Sequence, residues 1–182
     1  MKKKVIFSLI VLIVATGVTL ATLVGLWIHT TKTNPYFDTL PSNEKQQIKT
    51  LTSEQVILTY FDAINNKNYE LALALLSPRY LRPCKLTFKR FLTHGFKSAV
   101  EDTLKHMKTV NSITNVTFDY ELSKHRSSLP PLPPNTVQLA AYNNVKSNDP
   151  NIGEHKNLLT FIRLVKDPND GHWQIDGFNS SP

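Results

Sequence analysis

The chain has 182 residues, a formal net charge of +7 and a single cysteine, Cys84. This length suggests one ordinary domain plus an additional segment, and a lone cysteine excludes an intramolecular disulfide. The basic residues are scattered rather than clustered in a stripe, which argues against nucleic-acid binding. Because no disulfide can form within the chain, the domain must be stabilised by its hydrophobic core.

The additional segment is at the N-terminus, where three lysines at residues 2–4 precede an uncharged apolar run over residues 5–28. At about 1.5 Å per residue, a helix of this length measures about 36 Å and crosses a bilayer core of about 30 Å. The positive-inside rule places residues 1–4 in the cytoplasm and the rest of the chain outside it. We predict a single-pass signal anchor in the cell membrane, with a signal peptide cleaved near Ala21 as the alternative.

Small residues recur at every fourth position of this run, at Gly17, Ala21 and Gly25. They share one helix face and allow two helices to approach closely, so this face is a hypothesis for homodimer packing in the membrane. The alternative is the ordinary abundance of small residues in membrane helices.

Residues 29–50 are polar, contain two prolines and lack a clear apolar period. We expect them to form a stalk or linker, with a short helix over 43–49. An extracytoplasmic domain should then occupy residues 51–182.

Three helices are predicted at the start of this domain. The first begins at Thr52, because Thr52 and Gln55 have the spacing of a capping box, and it ends at the turn-rich residues 65–68. The second ends at Pro78, and the third covers residues 87–108 with a break.

From residue 115 onward apolar residues alternate with polar ones, which is typical of half-buried strands. Strands are predicted over 115–123, 136–147, 158–165 and 172–178, and the turn residues between the last two predict a hairpin. Helices followed by antiparallel strands indicate an α+β fold, with about three helices packed on a curved sheet of about four strands.

Several local motifs resemble the nuclear-transport-factor-2-like superfamily, in particular its exported, membrane-anchored bacterial members. They are Phe61-Asp62-Ala63-Ile64-Asn65, Lys67-Asn68-Tyr69, Ala74-Leu75-Leu76-Ser77-Pro78 and Trp173-Gln174-Ile175-Asp176-Gly177-Phe178. The resemblance covers about residues 51–182 and implies a cone, in which a bent antiparallel sheet wraps around helices and leaves a pocket at its open end. No catalytic motif of the family's enzymes matches this sequence.

The candidate pocket residues are aromatic side chains from the first helix and the strands, each of which is alternatively a plain core residue. They are Tyr60, Phe61, Phe118, Tyr120, Tyr142 and Trp173. Asp119 and Asp176 alternate with apolar neighbours, so we expect them to lie on the outside of the sheet.

No other motif indicates chemistry. The six histidines lack the spacing of a helical metal pair, and no nucleotide-binding or nucleophile motif occurs. We therefore predict no metal, no cofactor and no catalytic residue. The proline-rich residues 129–134 favour polyproline II, and we interpret them as a stiff connection between strands rather than as a ligand for an aromatic groove.

Together these features predict a membrane-anchored, extracytoplasmic binding or interaction domain of the bacterial cell envelope that is not an enzyme. Its partners would be the membrane and a protein, a second copy of the chain, a wall polymer or an unidentified small ligand. One alternative is a scaffold subunit of a secretion or conjugation apparatus. The other is a small pocket enzyme of the isomerase or dehydratase type, which would need a buried acid or histidine facing the pocket.

Overall fold

The computed structural model describes residue 22 and residues 33–81, 97–124, 132–150 and 153–180. The predicted anchor and its packing face, Gly17, Ala21 and Gly25, lie outside the described residues. Within the described part of the chain, no helix is long and apolar enough to span a membrane.

Four antiparallel strands form one sheet in the order β1-β2-β3-β4. The strands are β1 (Val110–Asp119), β2 (Thr136–Ser147), β3 (Glu154–Lys166) and β4 (Trp173–Ser180). The α+β class and the four-stranded antiparallel sheet are thus confirmed, β2 has the predicted bounds, and β3 and β4 form the predicted hairpin.

The described residues contain six helices. They are α1 (Pro35–Thr39), α2 (Ser42–Lys49), α3 (Ser53–Asn65), α4 (Tyr69–Ala74), α5 (Lys97–Thr109) and α6 (Tyr120–Lys124). Helix α3 begins at the predicted capping box, where the Thr52 N–H donates to Gln55 Oε1 at 2.8 Å and the Gln55 N–H donates to Thr52 Oγ1 at 3.3 Å.

The core lies between the first helices and one face of the sheet. Fully buried apolar residues come from α3, from α4 and the residues directly after it, and from the strands. They include Val56, Ile57, Leu73, Leu75, Leu76, Ile162, Leu164 and Ile175.

Residues 34–50 pack against this core, so the prediction of a stalk that ends near residue 50 is wrong for its described part. Phe37 and Ile48 are buried in the core. The buried Asn34 amide donates to the carbonyls of Leu73 and Leu76, at 2.8 and 2.7 Å. The last carbonyls of a helix have no intrahelical partner, so Asn34 joins this segment to the end of α4.

The predicted strand over 115–123 begins and ends too late. Strand β1 starts at Val110 and stops at Asp119, and the alternating residues that follow form α6. Asp119 Oδ1 accepts a hydrogen bond from the Leu122 N–H at 2.8 Å. A side-chain acceptor at this position favours a helix start over a continuing strand.

On each outer strand, one residue has a partner for its outward-facing backbone groups: Ile175 on β4 and Ile113 on β1. Residues 75–77 run parallel to β4, where the Ile175 N–H donates to the Leu75 carbonyl at 2.9 Å and the Ser77 N–H donates to the Ile175 carbonyl at 2.8 Å. Helix α4 therefore ends at Ala74, before the predicted Pro78. On β1, the Asn65 side chain accepts from the Ile113 N–H and donates to its carbonyl, both at 2.8 Å.

Candidate functional site

The six predicted pocket residues differ widely in burial. Tyr60 and Phe61 are buried in the core, whereas Tyr120 is 52% exposed, and the other three are half-buried. The rings of Tyr60 and Phe61 lie 5.8 Å apart, and those of Phe118 and Tyr120 lie 6.5 Å apart. Burial raises the pKa of Tyr60, which keeps its hydroxyl neutral. A shared pocket for these six residues stays a prediction.

A groove of about 680 Å³, which none of these six residues lines, lies at the turn end of the β3–β4 hairpin. Three segments line it: the residues after α4, the end of the proline-rich connection, and the hairpin itself. Their lining residues include Ser77, Pro78 and Arg79; Leu132, Pro133, Pro134 and Thr136; and Arg163, Val165, Lys166, Gln174 and Asp176.

Asp176 is buried in the wall of this groove, so the prediction that it lies outside the sheet is wrong. The pairing of β3 with β4 shifts register here: Arg163 is opposite Gly177, and Leu164 is opposite Ile175. Asp176 is thus the extra residue of a β-bulge, which re-aims its side chain and breaks the alternation.

The carboxylate of Asp176 is held by three side chains. Ser77 Oγ donates to Oδ1 at 2.7 Å, and Arg163 Nε donates to Oδ2 at 2.9 Å. Arg79 Nη1 lies 3.7 Å from the same Oδ2. We call these four residues the Asp176 cluster. Because it combines two guanidinium groups with one carboxylate, the cluster carries a net positive charge.

The cations of the groove are more accessible than its anions. The side chain of Arg79 is 73% exposed and that of Arg163 is 34% exposed, against 5% for Asp176. Lys166 is exposed and its amine lies 5.0 Å from the centre of the Trp173 ring, within cation–π range. A ligand entering the groove therefore meets positive charge.

Gly177 lets Arg163 lie flat against β4. A Cβ at Gly177 would lie 3.3 Å from Arg163 Nη2, closer than ordinary packing allows. Arg163 Nη2 also donates to the Asp176 carbonyl at 3.1 Å. The guanidinium is thus held by two hydrogen bonds, in a space that a side chain at residue 177 would narrow.

A second polar cluster lies at the start of β4. His172 is buried, and its ring stacks on Phe37 with centroids 4.3 Å apart. His172 Nδ1 is hydrogen-bonded to Asp170, and Gln174 Nε2 lies 3.0 Å from His172 Nε2. Lys49 forms an ion pair with Asp170 at 2.8 Å. We call these five residues the His172 cluster.

The hydrogen bonds of the His172 ring indicate which of its two nitrogens carries a proton. An amide nitrogen only donates, so Gln174 donates to Nε2, and Nδ1 then carries the proton that is donated to Asp170. Burial raises the pKa of Asp170, but the hydrogen bonds from Lys49 and His172 outweigh it and lower that pKa to about 2. Both ring nitrogens are engaged, which leaves neither free for acid–base chemistry.

Asp167, Asp170 and His172 also have the spacing of a metal site, with ligand atoms within 4.8 Å of one another. The same atoms already have protein partners, however. Asp167 Oδ1 accepts from the Asn169 N–H at 2.8 Å, and Lys49 supplies a cation to Asp170. These contacts fit a structural network better than a metal site.

The sequence interpretation missed the Asp176 cluster because its members come from distant parts of the chain. Ser77 and Asp176 are separated by 99 residues, and nothing local in the sequence indicates that they pair. One signal was present: a glycine inside a strand, such as Gly177, often marks a close approach or a bulge.

A four-stranded antiparallel sheet covered by helices makes this an α+β domain. Its basic groove lies at the last hairpin. Residues 54–178 match the family described as Domain of unknown function (DUF4829), and the chain belongs to this family. None of the curated proteins matches the chain.

Proposed function

We propose that the protein is a membrane-anchored binding module on the outer side of the bacterial cytoplasmic membrane, and that the groove is its binding surface. The lysine-flanked apolar run at residues 5–28 supports the anchor and its orientation. The observation that carries the binding role is the exposure of Arg79, Arg163 and Lys166 in a concave site whose counter-charge, Asp176, is buried.

A binding role fits these residues better than catalysis. Catalytic acids and bases need an accessible atom that can take or give a proton. Asp176 accepts hydrogen bonds on both carboxylate oxygens, and His172 is engaged at both ring nitrogens. These two buried groups are therefore poorly suited to act as the catalytic acid or base of a pocket enzyme.

We further propose that the domain is a divergent nuclear-transport-factor-2-like domain of the exported type. Its order of elements supports this proposal, since α3 and α4 precede a sheet of sequential antiparallel strands. The segment at residues 74–78 supports it as well, because it leads from α4 along the outer edge of β4.

The anchor is tested by fractionating cells that express the full chain and by adding protease to spheroplasts. We expect the chain in the membrane fraction, and we expect external protease to cleave it beyond residue 28. Recovery of the chain in the cytosol, or full protection from external protease, would contradict the proposal.

The binding surface is tested by photocrosslinking in cells. A photoreactive phenylalanine analogue at Leu132, which is 45% exposed at the groove, should capture an envelope component. The matched control is Leu58, which is 39% exposed on α3 and does not line the groove. Equal capture from both positions, or capture from neither, would remove the groove as the binding surface.

A further inference from the structure

Arg163 is positioned for a ligand before the ligand arrives. Its Nε and Nη2 donate to Asp176, at 2.9 and 3.1 Å, and Gly177 leaves room for the flat guanidinium. These hydrogen bonds use two of the five N–H donors of an arginine. Fixing a charged side chain in advance lowers the ordering cost that binding would otherwise carry.

Arg79 approaches the same carboxylate from the segment that follows α4. Its Nη1 lies 3.7 Å from Asp176 Oδ2, the oxygen that also accepts from Arg163. Two guanidinium groups therefore converge beside one buried carboxylate. Guanidinium groups bind carboxylate and phosphate through parallel N–H donors, which makes such a pair a suitable receptor for an oxyanion.

We propose that the Asp176 cluster binds an oxyanion, a phosphate or carboxylate group, carried on a flexible anionic polymer of the cell envelope. This inference rests on the proposed function and specifies its ligand. A groove of about 680 Å³ is much larger than one oxyanion, so several units of a polymer fit along it. Lys166, farther along the groove, provides a further cation for the next unit.

A polymer suits this site better than a lipid surface does. Arg163 is only 34% exposed, whereas Arg79 is 73% exposed, so a planar layer of headgroups would contact Arg79 and not reach Arg163. A flexible chain can enter the groove and contact both arginines.

The inference is tested with the full-length chain purified in an uncharged detergent. The chain is titrated by calorimetry with long-chain inorganic polyphosphate, with poly-L-glutamate and with inorganic phosphate. Vesicles of phosphatidylglycerol and phosphatidylcholine in equal parts form the lipid arm. We expect at least one polymer to bind in a salt-sensitive manner and more tightly than inorganic phosphate does. Binding to the vesicles should not become tighter when Asp176 is replaced by asparagine.

Two substitutions with opposite expected signs make the test specific. Arg79→Gln removes an exposed cation and should weaken polymer binding by about tenfold, the value of one charge-assisted hydrogen bond. Asp176→Asn keeps an acceptor for Arg163 but removes the negative charge, so it should tighten polymer binding by about fivefold. Misfolding weakens binding and would not produce this gain.

Lys146→Gln is the matched control, because it removes one positive charge from an exposed position on β2 outside the groove. Polymer binding should not change with it. The inference is overturned if Arg79→Gln is no weaker than Lys146→Gln, if Asp176→Asn also weakens binding, or if only the vesicles bind. If crosslinking from Leu132 persists in that case, the binding module stands and only the ligand class is wrong.

Discussion

Two polar clusters lie close together, one around His172 just before β4 and the other around Asp176 within β4, and they differ in where their charges point. In the His172 cluster, the ring nitrogens and the Asp170 carboxylate are used by protein groups, and the ring is covered by Phe37. In the Asp176 cluster the carboxylate is buried, but the guanidinium of Arg79 extends into solvent. The first cluster attaches the N-terminal helices to the hairpin, and the second presents charge to a ligand.

This difference separates stability from binding. Substitutions of His172 or Asp170, which do not line the groove, should reduce the free energy of unfolding and leave ligand binding intact in the folded fraction. Substitution of Arg79, at the exposed end of the Asp176 cluster, should weaken ligand binding and leave the free energy of unfolding nearly unchanged. Four substitutions test this division, in order of decreasing expected effect on stability.

His172→Ala should have the largest effect, a loss of about 3 kcal/mol in the free energy of unfolding. It removes a buried ring that packs on Phe37, together with the hydrogen bonds that the ring makes with Asp170 and Gln174. Urea denaturation measures the loss. His155→Ala, at an exposed position on β3, is the control and should change stability by less than about 0.5 kcal/mol. Similar losses for the two histidines would contradict a structural role for the cluster.

Ser77→Ala should lower the free energy of unfolding by about 2 kcal/mol. Ser77 is buried; its hydroxyl donates to Asp176 Oδ1 at 2.7 Å and accepts from the Tyr80 N–H at 3.0 Å. The substitution leaves a buried acceptor and a backbone donor unpaired. Ser77→Thr, which retains the hydroxyl, should recover part of the loss in thermal unfolding. An unchanged melting temperature for Ser77→Ala would show that this hydrogen bond contributes nothing.

Asp170→Asn should remove about 1 kcal/mol of stability at neutral pH, a value reduced by solvent screening of this partly exposed pair. The folded-state pKa of Asp170, about 2, lies below its ordinary value of 3.8. Its stabilising contribution is therefore fully present above about pH 4 and is lost as the pH falls through about 2.

Urea denaturation at about pH 5 and at about pH 3 measures this dependence, because the difference between wild type and Asp170→Asn should shrink at the lower pH. Asp62→Asn, an exposed acid on α3, is the control. A difference that stays constant or grows as the pH falls would contradict the ion pair with Lys49.

Arg79→Gln should have the smallest effect on stability, less than about 0.5 kcal/mol, because Arg79 is largely exposed and lies 3.7 Å from Asp176, so its ion pair contributes little. Asp176 keeps its hydrogen bonds from Ser77 and Arg163. Combined with the expected loss of polymer binding, this result would show binding separated from folding. A loss of stability comparable to that of Ser77→Ala would instead indicate that Arg79 is structural.

The sequence predicted the elements whose signals are local. Strand β2 has its predicted bounds, and α3 begins at its predicted capping box. Both follow from short-range patterns, since alternation and capping involve residues only a few positions apart. Helix α6 also has a local signal, the side chain of Asp119, but the alternation of apolar and polar residues around it favours a continuing strand.

The sequence could not predict features that depend on pairing between distant residues. The bulge at Asp176 arises from the register of β3 against β4, and it turned a residue expected outside into a buried one. The packing of α1 and α2 was missed because only two buried apolar residues, Phe37 and Ile48, mark it in a polar segment. The candidate groove could not be predicted for the same reason, because its lining residues come from segments that are far apart in the sequence.

The occupied edges of the sheet have a consequence for self-association. An unpaired outer strand can add the strand of another molecule, which is a common route to aggregates and fibres. Here the Asn65 amide takes the place of a neighbour beside Ile113, and residues 75–77 take that place along β4. Addition of a strand at Ile113 or Ile175 would first have to displace these native hydrogen bonds, which makes both positions poor starting points for pairing between copies of the protein.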